Sequence, residues 1–93
     1  MAIEIIYGLR EKQEELDKII RDYSQNWEFG RISYVSRAII RVSLYQLLYM
    51  KDQIPMKVAI DEAVRLAQEY AEDDAGRFVN GVLDAFVKDA ISP

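Results

Sequence analysis

Along most of the chain, apolar residues return at steps of three and four, and no segment sustains the every-second-residue alternation of a half-buried strand. This periodicity restricts the fold to packed helices. From Ala2 to Tyr23 the stripe is Ala2, Ile5, Ile6, Leu9, Leu16, Ile19, Ile20 and Tyr23, with a gap at Lys12 and Gln13. On its outer face Glu14 stands four before Lys18, and Asp17 four before Arg21, the orientation that supports a solvated helix.

The stretch from Ser24 to Arg31 (SQNWEFGR) breaks the rhythm and reads as a turn anchored by Trp27 and Phe29. Helical spacing resumes from Val35 to Tyr49, where so few positions are polar that the helix must be central. Lys51 to Ile54 reads as a loop, and Pro55 sits at or just before the next helix start, where its missing N–H is no loss. That helix carries Ala59, Ala63, Leu66, Ala67 and Tyr70, whose small members suit close packing on the central one. Glu72, Asp73 and Asp74 then supply a cap and negative charge to a last helix with the stripe Ala75, Phe78, Val79, Val82, Leu83, Phe86, Val87 and Ala90. An all-α bundle of four main helices in a single domain over residues 1–93 is the expected architecture.

The last helix contains an anomaly. Asn80 lies at the edge of its stripe and Gly81 on the far side, although both weaken a helix interior, Gly by about 1 kcal/mol relative to Ala. Either another segment approaches Gly81 closely, or Asn80 bonds something an aliphatic side chain could not. For Asn80 a side-chain bond to a nearby loop backbone ranks ahead of a ligand contact.

Composition narrows the chemistry. With no cysteine and no histidine, disulfides, thiolates, the usual zinc sites and His-based nucleophile pairs are all excluded. Asp61 and Glu62 diverge by about 100° on their helix, so a catalytic carboxylate pair is not expected, nor is a cofactor or metal. No signal peptide or membrane span is visible, which points to the cytoplasm. Twelve basic against sixteen acidic side chains give a net charge of -4, so nucleic acid could be held only by a local patch. Arg37 and Arg41, four apart on one face, could grip phosphate oxygens or pair with acids of a neighbouring helix. Phe78 and Tyr45 sit on helical stripes, which favours core packing over base stacking.

Taken together, NWEFGRISYVSRAIIRVSLYQLLY, IPMKVAIDEAVRLAQEYA and EDDAGRFVNGVLD resemble, in order, the central helix region, the following helix and the closing motif of the NusB family. The segment from Ala2 to Tyr23 resembles the family helix just before them. This resemblance implies an all-helical, non-catalytic factor of bacterial transcription antitermination that binds boxA-type ribosomal RNA together with NusE, a small-subunit ribosomal protein. The same fold serves as an accessory domain of certain ribosomal RNA methyltransferases. By the resemblance, Phe78 with Asp73 and Asp74 matches positions near the RNA and partner surface, and Asn80 and Gly81 match the signature itself. A basic patch of Arg31, Arg37, Arg41, Lys57 and Arg77 would carry the RNA.

Departures from the family pattern add a further expectation. Between Tyr45 and Pro55 the chain carries one residue more than many relatives, and Ser36 stands where an acidic cap is common. Met1 opens directly onto what resembles a later helix, without the helices and arginine-rich segment that begin full family members. The stripe of Ile5, Leu9, Leu16 and Ile20, with Leu44 and Leu48, would then be left partly open and covered by a second copy, giving a homo-oligomer. A purely structural self-assembly module is the alternative function on this reasoning.

Overall fold

The computed structural model describes residues 2–24 and 33–91, with side chains placed from residue 6 to 24 and from 33 to 90. Four α-helices follow one another: α1 (Ala2–Asp22), α2 (Tyr34–Tyr49), α3 (Met56–Tyr70) and α4 (Ala75–Phe86), the last running into a π-helical turn, Val87–Ile91. Among the described residues there is no strand. The expected helices are present within a residue or two of their ends, except that the last stripe does not stay α-helical to Ala90. Trp27, Phe29 and Arg31 lie outside the described residues, as does the side chain of Ile5.

The second helix is central as its composition required, meeting each of the other three. It contributes Ile40, Leu44 and Leu47 to a core shared with Leu16 and Ile20 of α1 and with Phe78, Val79, Val82, Leu83 and Phe86 of α4. Three alanines four apart, Ala59, Ala63 and Ala67, are the buried residues of α3, so that helix packs by its backbone rather than by long side chains. The radius of gyration is 12.2 Å, against about 12 Å for a packed chain of this length.

Closure of this core corrects the expectation of an open seam. Leu16, Ile20 and Leu44 are 0 % exposed within the chain's own bundle, and Leu9 and Leu48 are half-buried against it. These residues of α1 and α2 close on one another and on Phe78, Val79, Val82, Leu83 and Phe86 of α4 in one core. Two interhelical features hold α1 and α2 antiparallel. Arg41 Nε donates to Asp17 Oδ1 at 2.6 Å, with the side chains only 18 % and 15 % exposed. One end of the pair of helices is tightened at Gly8, where an added Cβ would lie 2.1 Å from the Tyr45 hydroxyl oxygen. A larger residue at position 8 would require the Tyr45 ring to move aside.

Candidate nucleic-acid and partner interface

The start of α2 positions much of what could bind a ligand. Ser33 is its N-cap, in extended conformation, and its hydroxyl accepts the Ser36 N–H at 3.0 Å. In the usual capping box an acid three residues on would return a bond to the cap backbone. Here that position is Ser36, whose buried hydroxyl instead donates to Glu72 Oε1 at 3.1 Å. Glu72 comes from the turn between α3 and α4. Bonding by the Ser33 hydroxyl, then by the carboxyl's own backbone N–H, the Ser36 hydroxyl and the Ser33 N–H, holds the Glu72 carboxyl below its ordinary value against the opposing effect of burial. An acid missing from the local sequence is thus supplied across the fold, and the acidic turn is fixed to the head of α2.

That link brings Arg37 and Arg77 to one end of the bundle, since each stands within about a turn and a half of it. Arg37 is half-buried, its guanidinium 5.9 Å from the centre of the Tyr34 ring, and Arg77 is exposed on the first turns of α4. The other basic candidates are placed differently. Arg41 is held by Asp17, so it belongs to the packing of α1 on α2 rather than to an open cationic surface. Lys57 lies at the far end of α3, about 20 Å along its axis from Glu72, in an exposed pair with Asp61 at 3.2 Å. A single patch of all four described cations is therefore not formed. Phe78, 3 % exposed, is a core residue.

The acidic turn also departs from expectation. Asp74 occupies the N-cap position of α4, yet its side chain makes no capping bond. Asp73 and Asp74 are both exposed. They add negative charge near a helix N-terminus, a favourable placement, while leaving their carboxylate oxygens open. Asn80 and Gly81 are exposed on the outer face of α4 as well. Among the described residues nothing packs on Gly81, since a Cβ built there meets nothing within 4 Å. Among them the structural bond expected of Asn80 is absent too. The described residues therefore explain neither half of the anomaly.

Two features lay beyond sequence reasoning. Asp17 as the partner of Arg41 is 24 residues away, with no local spacing to signal it. The Tyr23 hydroxyl donates to Asp89 while its ring packs edge-on to Phe86, centroids 5.6 Å apart, tying the end of α1 to the π-helical turn. The hydrogen bond, followed by burial and the nearby Asp89 charge, raises the Tyr23 hydroxyl above its ordinary value. A groove between α2 and α3 is lined by Ala38, Ile39, Val42, Ala63 and Leu66, with Glu62 at its edge. It offers no seat for an anion. No group of three or more His, Cys, Asp or Glu is disposed to hold a metal among the described residues, and no described helix is long and apolar enough to cross a membrane.

Comparison with known proteins gives one consistent result. The model of the NusB family matches residues 1–88. A transcription antitermination protein NusB of Elusimicrobium minutum is 42 % identical over 85 residues, covering 91 % of this chain and 61 % of that protein. The protein of the same name from Halalkalibacterium halodurans is 46 % identical over 80 residues, covering 86 % and 59 %. The solved structure of Thermotoga maritima NusB superposes with a TM-score of 0.84 at 38 % identity, over 92 % of this chain and 60 % of that one. The chain thus spans about three fifths of the length of these relatives.

Proposed function

This chain belongs to the NusB family, and we propose that residues 1–93 form one RNA- and protein-binding unit of transcription antitermination, engaging boxA-type ribosomal RNA with a NusE-type ribosomal protein. The observation that carries this reading is the match of fold and sequence together across almost the whole chain. Its helices match those of the Thermotoga maritima NusB structure at a TM-score of 0.84 and 38 % identity, a similarity well above what shared architecture alone would give.

The site chemistry is consistent with a binding module. Arg37 and Arg77 stand where the acidic turn is fixed to the head of α2, and Asp73 and Asp74 face solvent beside them. Guanidinium groups suit phosphate oxygens, and open carboxylates suit a basic protein. With a net charge of -4, the chain gains little from long-range attraction to RNA, so a basic partner that adds cations to the same surface would raise RNA affinity. Of the seam on which the self-assembly alternative rested, Leu16, Ile20 and Leu44 are buried within the chain's own bundle.

The test is fluorescence anisotropy of labelled boxA RNA titrated with the chain, alone and with a NusE-type protein. The expected result is binding that tightens at least about fivefold in the protein's presence, the lower end of ordinary coupling between sites. Absence of binding to both RNA and protein at low salt would overturn the assignment.

A further inference from the structure

Binding a single strand calls for flat rings open to solvent, on which unpaired bases can stack whatever their sequence. Phe78 cannot supply one, being inside the core. Among the described residues eight large apolar side chains are exposed, and the two most exposed are Tyr34 at 74 % and Tyr70 at 67 %. Both stand at the same end of the bundle. Tyr34 follows the N-cap Ser33 and precedes Ser36 by two residues, while Tyr70 ends α3 two residues before Glu72, whose carboxyl accepts from Ser36. The link between the acidic turn and the head of α2 thus carries an open ring on each of the two segments it joins.

Neither ring serves the core. Tyr23 and Tyr49 direct their hydroxyls to Asp89 and Glu15, and Tyr45 lies against Gly8, whereas Tyr34 and Tyr70 make no hydrogen bond among the described residues. Their rings are left to solvent. The Arg37 guanidinium lies 5.9 Å from the centre of the Tyr34 ring, inside the reach of cation–π attraction, and sets a cation beside whatever stacks there. Arg77 is exposed at the same end. A chain of net charge -4 gains little from long-range attraction to phosphates, and stacking draws on no charge at all.

We propose that Tyr34 and Tyr70 are stacking platforms, each holding one unpaired base of a single-stranded RNA, with Arg37 supporting the Tyr34 ring. This inference rests on the RNA part of the function proposed above, and it adds the side chains that grip the bases.

Replacing each ring by leucine tests it, since leucine keeps an apolar side chain of moderate size but offers no flat face. In anisotropy titrations of labelled boxA RNA, Tyr34→Leu and Tyr70→Leu should each weaken binding about 5- to 150-fold, and Tyr34→Phe and Tyr70→Phe should bind as the unmodified chain does. The slope of log affinity against log salt should stand in all four, because no phosphate contact is lost. Melting midpoints should stay within about 4 °C, as for other exposed substitutions. The same RNA carrying one abasic nucleotide at a time should show two sensitive positions, one silenced by Tyr34→Leu and the other by Tyr70→Leu. Leucine variants that bind as before overturn the proposal, as do phenylalanine variants as weak as leucine ones or abasic effects that ignore both tyrosines. If the leucine variants lose affinity for a NusE-type protein while RNA affinity stands, the rings belong to a protein interface and the proposal is wrong. If the unmodified chain fails to bind the RNA, the RNA assignment falls and this inference with it; if it binds and only the variants are unaffected, the inference alone falls.

Discussion

Replacing Arg41 by Met should destabilise the chain rather than merely remove a cation from its surface. Arg41 Nε lies 2.6 Å from Asp17 Oδ1, and the two side chains are only 18 % and 15 % exposed. Exposed ion pairs contribute about 0.2–1 kcal/mol, whereas breaking a buried pair by removing one partner costs about 3–5 kcal/mol because a charge is left without compensation. At this degree of burial the cost should be nearer the second range, about 2–3 kcal/mol for Arg41→Met and a similar loss for Asp17→Leu. A domain of 93 residues has a stability of about 5–14 kcal/mol, so either change removes a substantial part of it. The double variant should lose much less than the sum, because no charge then remains without its partner. Urea unfolding followed by far-ultraviolet circular dichroism reads this directly. With a slope of about 1–2 kcal/mol per molar, each single variant should unfold at a midpoint about 1–3 M lower. Single losses below about 0.5 kcal/mol that simply add in the double variant would refute the reasoning and return Arg41 to the list of available cations.

Three further outcomes follow from the same structure. Leu16→Ala should cost about 2–5 kcal/mol by chemical denaturation, and Leu16→Glu should abolish the folded state rather than dissociate an oligomer, which light scattering with circular dichroism distinguishes. Phe78→Ala should cost about 3–5 kcal/mol; unaltered stability with lost RNA binding would instead make Phe78 a stacking residue. The Glu72 carboxyl is held below its ordinary value of 4.5 in the folded chain, so its contribution is complete above that pH and is lost as pH falls through the lower folded value. Thermal melts between pH 6 and pH 3 should therefore show part of the acid loss disappearing in Glu72→Gln, and identical acid limbs would show that the link to Ser33 and Ser36 contributes nothing.

Helix positions and the core were legible because they depend on local spacing: the alanines of α3 and the central character of α2 follow from a 3.6-residue period alone. What was not legible depended on contacts between distant segments. Nothing near Arg41 marks Asp17 as its partner, and nothing near Ser36 shows that Glu72 will supply the missing acid of its cap. The open seam was misjudged for the same reason, since stripes on α1 and α2 cannot reveal from sequence that they face each other. Asn80 and Gly81 are the converse case. They were recognisable as an anomaly from their helix propensity, yet both fold-based explanations failed once the outer face of α4 was seen to be open.

The salt dependence of boxA RNA affinity tests the account most directly, measured for the unmodified chain, Arg77→Gln and Arg41→Gln at a temperature where all three are folded. Each phosphate contact on a single strand contributes about 0.7 to the slope of log affinity against log salt. The account predicts that Arg77→Gln flattens the slope by about that amount and that Arg41→Gln, whose guanidinium is engaged by Asp17, leaves it unchanged. A slope that falls with Arg41→Gln and stands with Arg77→Gln would contradict it.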